Sequence, residues 1–169
     1  MEIRETSRGM LQIDDATITF KNFSGRGSQF NREGDRNFAL VIPDVNVAEE
    51  LKAKGWNVKI KPGRDDPDEM FCTLPVKVKY NGYGPDLYLQ AGEDAKPVQL
   101  TEDTVHQLDQ YRFSKIDMDL RPYNWEVNGK TGTTAYISSG MFVAEVDRFA
   151  AAMNRFTSVV EDEEDETPF

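Results

Sequence analysis

Short alternations of apolar and polar residues dominate the chain. Ala16, Ile18 and Phe20 interleave with Thr17, Thr19 and Lys21, the period-two pattern of a strand with one buried face. Residues 38–42 form a wholly apolar run stopped by Pro43, as in a short buried strand. Asp44 then caps a helix in which Val47 and Leu51 share a face, and Gly55 closes it. Trp56, Val58 and Ile60 alternate with Asn57, Lys59 and Lys61, and Val76, Val78 and Tyr80 with Lys77 and Lys79. Pro75 marks a bulge or a sheet edge. Leu87, Tyr88 and Leu89 make another short strand, and Thr101 caps a helical turn bearing Val105 and Leu108. Ile116, Met118 and Leu120 alternate with charged residues. Asn128-Gly129 between the aromatic-rich segments 123–127 and 133–137 predicts a tight hairpin. Residues 141–146 read as a last strand and 147–156 as a short helix. Seven or eight strands with one or two inserted helices predict a mainly β fold, a Greek-key barrel or sandwich.

Composition sharpens this picture. At 169 residues the chain fits one domain, yet only 38% of it is hydrophobic and its mean hydropathy is −0.61. Such a chain has wide solvated surfaces or an unfolded part. The formal net charge of −10 argues at first against a polyanionic partner. The charge is unevenly placed, however. Residues 161–166 hold six of the thirty acids and no base, which leaves residues 1–160 at 20 bases against 24 acids, a net of −4. Residues 52–64 contain five bases (Lys52, Lys54, Lys59, Lys61, Arg64) and no acid.

Other chemistries lose their residues one by one. A lone cysteine, Cys72, forbids an intrachain disulfide, and a lone histidine, His106, leaves little for a zinc site. Gly129-Lys130-Thr131 ends like a phosphate-binding loop, but Asn124 stands where its first glycine is required. Asp65, Asp66, Asp68 and Glu69 are interrupted by Pro67 and read as a solvated turn rather than a cation loop. The longest apolar runs are five residues, far from the ~20 that cross a bilayer, and the first ten residues lack the apolar stretch of a signal peptide. No metal, cofactor, membrane contact or enzymatic activity is expected, and a reducing, intracellular setting is.

Three groups of residues remain as candidates. Lys59, Lys61, Lys77 and Lys79 point away from the apolar sides of their strands, so pairing of those strands lines one sheet face with four ammonium groups. Regular cations suit a phosphate track; solvated edge-strand lysines that resist aggregation fit the same pattern. Tyr123, Trp125 and Tyr136 lie on the hairpin with Arg121 and Lys130 nearby, while Phe30 shares a Gly-rich loop with Arg26, Arg32 and Arg36, and Tyr83 lies in another. Rings interleaved with bases stack unpaired nucleobases, although any one ring also fits a core. The acidic run Glu161, Asp162, Glu163, Glu164, Asp165, Glu166 ends in Thr167-Pro168-Phe169. A terminal aromatic beside a free carboxylate is a docking plug more than a solubility device.

That tail resembles those of bacterial and phage single-stranded DNA-binding proteins. The segment Arg121-Pro-Tyr-Asn-Trp-Glu-Val-Asn-Gly-Lys-Thr-Gly132, followed by Ala135-Tyr-Ile and Met141-Phe-Val, is similar to a family of phage-encoded single-stranded DNA-binding proteins, as are Phe38-Ala-Leu-Val-Ile42 and Gly55-Trp-Asn-Val-Lys59. The resemblance implies an oligonucleotide-binding (OB) barrel that coats single strands during phage replication, recombination and repair, in the cytoplasm of an infected bacterium. On this reading residues 1–155 form the OB domain and residues 156–169 a disordered acidic tail. The lysines and arginines named above take phosphates, and Phe30, Tyr83, Tyr123, Trp125 and Tyr136 take bases, without sequence preference. The tail, through Glu161 to Glu166, Pro168 and Phe169, recruits replication or recombination proteins and competes with DNA for the groove. A homodimer is compatible with the sequence. The competing expectation is an acidic mimic of nucleic acid that blocks a host enzyme, for which an acid excess gathered in a tail is poorly placed.

Overall fold

The structure is a computed structural model and describes residues 1–82 and 84–146. Ten strands form one sheet: β1 (Glu2–Glu5), β2 (Leu11–Asp14), β3 (Thr17–Asn22), β4 (Arg36–Val41), β5 (Lys59–Pro62), β6 (Met70–Val78), β7 (Asp86–Gln90), β8 (Val98–Leu100), β9 (Phe113–Val127) and β10 (Lys130–Ala144). Helix α1 (Val45–Ala53) and a 3-10 helix (Val105–Gln110) are inserted between them. The mainly β class expected from the alternations is the one observed. The sheet order is β1-β2-β9-β10-β6-β4-β3, with β5 beside β6 and β8 beside β7, which pairs with β10.

Five of these strands carry the OB connectivity. β3, β4 and β6 run antiparallel in succession, β6 pairs parallel with β10, and β10 pairs antiparallel with β9. The start of β3 then approaches the start of β9, where the Ala16 amide donates to the Ile116 carbonyl at 2.7 Å. Lys21 fastens the same seam: its ammonium donates to the carbonyls of Leu108 (3.0 Å) and Tyr111 and lies 4.9 Å from the centre of the Phe113 ring. Burial lowers the pKa of this ammonium, against the opposing pull of Asp109. The enclosed core is made by the inward sets of these strands, among them Leu40, Leu74, Val76, Leu120, Ala135, Ile137 and Phe142, with Phe23 stacked on Phe38.

Local signals account for most elements. Asp44 accepts a hydrogen bond from the Asn46 amide at 2.9 Å and so caps α1; Gly55, at φ 106°, ends it. Asn128 and Gly129, at φ 51° and 78°, form the turn of the β9–β10 hairpin, both with the positive φ that its strand twist requires. Pro75 sits inside β6 without a bulge. It is opposite Ala39 of β4, while β5 pairs only residues 70–73 and β10 only 76 and 77, so its missing N–H falls where the edge is locally open. The turn at 65–69 is exposed, with Asp66 accepting from the Asp68 amide at 3.0 Å.

Four expectations change. Thr101 does not cap the 3-10 helix through its side chain; Thr104 occupies the cap position, and its hydroxyl accepts from the Thr101 amide. Strands β1, β2 and β8 were not anticipated, because their four- and three-residue lengths carry too little period-two pattern. The strand expected at 141–146 is the far end of the single 15-residue strand β10. Phe20 does not point inward. Its φ is +51°, the β3–β4 register breaks between Thr19 and Asn22, and the side chain is 72% exposed. The helix expected at 147–156, the tail at 156–169 and Tyr83 lie outside the described residues.

Candidate nucleic-acid interface

Strand parity decides which side chains share the outer face of the barrel. Inward-facing Val76, Leu74 and Cys72 leave Phe71, Thr73, Pro75 and Lys77 outward on β6. In register with these are Asn37, Ala39 and Val41 of β4, Lys59 and Lys61 of β5, and Tyr136 of β10. Lys77 and Tyr136 are direct partners, and Tyr136 is in turn opposite Arg121 of β9. From there the outward set of the hairpin continues as Tyr123, Trp125 and Val127 on β9 and Thr134, Gly132 and Lys130 on β10.

Contacts along this face make an aromatic and cationic ladder. The Arg121 guanidinium carbon lies 4.6 Å from the centre of the Tyr136 ring, a cation–π distance. Tyr136 meets Tyr123 edge-to-face at 6.0 Å. Trp125 lies over Gly132, where a Cβ would come within 2.5 Å of Cζ2 of the indole. Only glycine leaves the indole that resting place. Tyr123 is 53% exposed and Trp125 37%, so these rings are not core despite their apolar company. The opposite side of the hairpin is tied down: the Thr133 amide donates to the Gly55 carbonyl (2.9 Å), the Asn57 amide to the Thr133 carbonyl (3.2 Å), and the Thr133 hydroxyl to Asn124 Oδ1 (2.8 Å). The ladder is therefore presented by a braced, not a free, hairpin.

The β3–β4 loop stands on the other side of Lys77. Its strands close through the Gly34 amide and the Gly25 carbonyl at 2.8 Å and through a bridge between Ser28 and Asn31. Asn31 holds the loop from inside, donating to the carbonyls of Arg26, Arg32 and Asp35, and Asn37 of the outer face donates to Asn31 Oδ1 at 2.8 Å. This leaves Phe30 at the tip, 92% exposed, between exposed Arg26 and Arg32. Loop and hairpin thus flank the Lys77 end of β4 and β6. In OB folds that region, the second and third barrel strands with the first and last hairpin loops, is the one that takes oligonucleotides.

The sequence-derived candidates divide on this geometry. Lys59, Lys61, Lys77, Arg121, Lys130, Tyr123, Trp125 and Tyr136 share the face; Lys79 is exposed just beyond the end of β6; Phe30, Arg26 and Arg32 lie on the adjoining loop. Among the described residues no ion pair engages any of these cations. Arg36 departs: it lies opposite Val78 on the inward parity, ion-paired with Glu102 at 3.5 Å. Tyr80, whose burial pushes its phenol up to about 12 with Arg36 acting in the opposite sense, lies near it. Arg36 does not join the outer face.

The same face also has an electrostatic border. One step past Arg121 on β9 comes Asp119, then Asp117, and the β9–β10 register shifts between Ile137 and Ser139. Asp119 accepts from the Ser139 hydroxyl at 3.2 Å, and Asp14, Asp86, Asp117 and Asp119 line one cleft with a single base, Arg4. The negative charge at that end of the face disfavours a polyanion there. Among the described residues no three His, Cys, Asp or Glu side chains converge as a metal-holding group, and no helix is long and apolar enough to span a membrane.

Comparisons with known proteins agree with the barrel. The structure is similar to that of the single-stranded DNA-binding protein of bacteriophage Enc34 in complex with ssDNA, with a TM-score of 0.52 at 13% identity over 83% of this chain and 89% of that one. It is also similar to the C-terminal truncation of the same Enc34 protein, with a TM-score of 0.50 at 10% identity over 86% of this chain and 97% of that one. At such identities these likenesses concern the fold. No curated protein matches the chain in sequence. The model of the phage ssDNA-binding domain family matches residues 2–167, nearly the whole chain. The chain belongs to the phage single-stranded DNA-binding protein family.

Proposed function

We propose that the chain binds single-stranded DNA without sequence preference, along the outer face of β6, β9 and β10. The observation that carries this is the register Lys77–Tyr136–Arg121, which interleaves phosphate-neutralising cations with exposed rings on one continuous surface. Rings have π-faces for every base, and lysines take phosphates regardless of base, so neither component discriminates sequence. The hairpin carries Tyr123 and Trp125, and the opposing loop contributes Phe30, Arg26 and Arg32. The strand is bound and protected, not cut or modified, and the role is in phage DNA replication, recombination and repair inside the infected cell. Anisotropy of a labelled oligo-dT tests the reading: wild type binds, Y123A and W125A each weaken binding by the ~1–3 kcal/mol that one stacked base contributes, and unchanged affinity in both variants refutes it.

The acidic tail has two proposed jobs under the same reading. Its Pro168-Phe169 end recruits replication or recombination proteins, and its six carboxylates compete with DNA for the basic face. Deleting residues 161–169 then tightens oligo-dT binding, most at low salt where the competition is least screened, and abolishes recruitment. Equal affinity with and without the tail at low salt removes the competition. A homodimer is a further part of the proposal, tested by mass in solution.

A further inference from the structure

Beyond the hairpin ladder, the outer face holds an apolar groove that the sequence did not announce. Phe20 and Phe71 meet there edge-to-face at 6.4 Å, and the groove of about 360 Å³ is floored by Phe38, Ala39 and Pro75 and bordered by Lys59 and Lys61. Phe20 is set against two ordinary preferences at once. A phenylalanine at φ +51° is in the left-handed region that bulky residues avoid. Had the alternation continued, the ring would lie on the core side with half-buried Ile18; the register break instead exposes it at 72%. Strain and an exposed ring both cost stability, and the edge-to-face contact with Phe71 leaves most of the Phe20 ring in solvent. Such an outlier points to something outside the chain.

We infer that the Phe20–Phe71 groove is a second nucleobase subsite, in which one unpaired base of the bound strand stacks on Phe20 while its flanking phosphates take Lys59 and Lys61. The inference rests on the proposed single-strand binding and adds where the strand goes after Lys77. Three observations fix a base, rather than a peptide or lipid, as the occupant. The groove reaches the ladder along β4 and β6, since Asn37, Thr73 and Pro75 line it and Asn37 is the cross-strand partner of Lys77. Its border is cationic, with no acid among the lining residues. The acidic cleft beyond Arg121 closes the other direction to a polyanion. The strand therefore runs from the hairpin tip over Tyr136 and Lys77 to the groove and ends before the acidic turn at 65–69.

The test uses the full chain and the variants F20N and F71A. Asparagine tolerates the left-handed conformation, so F20N relieves strain while removing the ring. The expected result is a split seen in no purely structural role: F20N has a thermal midpoint equal to or above wild type, yet binds a long oligo-dT about 5- to 100-fold more weakly. F71A weakens the same oligo, and neither variant affects an oligo-dT too short to leave the hairpin. A loss of both stability and binding in F20N assigns Phe20 to the fold and overturns the subsite. Wild-type affinity in F20N, alone or with a change in solution mass, overturns it as well, the latter making the pair a self-association contact. In that event W125A separates the two claims: if W125A still binds weakly, single-strand binding stands without the groove, and if wild type binds no oligo-dT, the broader reading fails first.

Discussion

Neutralising Lys59, Lys61 and Lys77 together to glutamine gives a number that the outer face alone determines. Five cations stand on that face without an ion pair among the described residues: these three, Arg121 and Lys130. The loop adds Arg26 and Arg32, also exposed and without an ion pair among the described residues, so seven cations meet the strand. Each phosphate neutralised on a single strand contributes about −0.7 to the slope of log K against log salt, so seven give a slope of about −4.9. Raising the salt from about 50 to about 200 mM then weakens wild-type binding roughly 900-fold. The triple variant keeps four contacts, a slope of about −2.8, and loses only about 50-fold over the same range; the difference of about 2.1 belongs to the three lysines alone. All three lysines are exposed, so the substitutions leave stability within about 0.5 kcal/mol, and a urea midpoint confirms that the fold is intact. Anisotropy of labelled oligo-dT at five or six salt concentrations reads the slope directly. A triple variant whose slope equals that of wild type refutes the argument, because phosphates would then be held elsewhere.

Two further outcomes follow from single contacts. Gly132→Ala is compatible with its strand backbone but places a Cβ 2.5 Å from the indole of Trp125; the ring must leave its seat, so tryptophan emission shifts to the red and oligo-dT affinity falls, by less than in W125A, and an unchanged spectrum contradicts the packing described. Lys21→Met keeps the unbranched apolar stem but leaves the carbonyls of Leu108 and Tyr111 without their donor, which costs about 1–3 kcal/mol, read as a lower urea midpoint at unchanged m-value; an unaltered midpoint removes Lys21 from the barrel seam.

What was legible in the sequence is what local physics writes into short stretches. Asp44 and Gly55 bound α1, and Asn128-Gly129 makes the hairpin turn, because a cap or a positive φ is demanded by the chain a few residues away. The parity of Lys59, Lys61 and Lys77 was readable for the same reason, since alternation fixes the face once the buried side is known. The partner of each strand was not readable. Only the register shows that Lys77 lies beside Tyr136, far along the chain, and that Arg36 turns to Glu102 instead of the face. The outward position of Phe20 is invisible to alternation, which counts residues, because one residue in the left-handed region inverts the count. The exposure of Tyr123 and Trp125 was hidden likewise: three apolar residues on one strand face look like core until the hairpin is seen to project past the sheet. Tail and net charge remain a matter of sequence alone, where −10 divides into an acidic end and a nearly balanced body.

The chain contains two tryptophans, and they are placed to report on the central claim. Trp56 is 5% exposed and packs in the core, whereas Trp125 is 37% exposed on the proposed face. Titration of the full chain with oligo-dT at low salt is expected to quench tryptophan emission to saturation, and the quench is expected to vanish in W125F while W56F retains it. Saturable binding with no quench, or a quench that survives in W125F, contradicts a strand stacked on the β9–β10 hairpin.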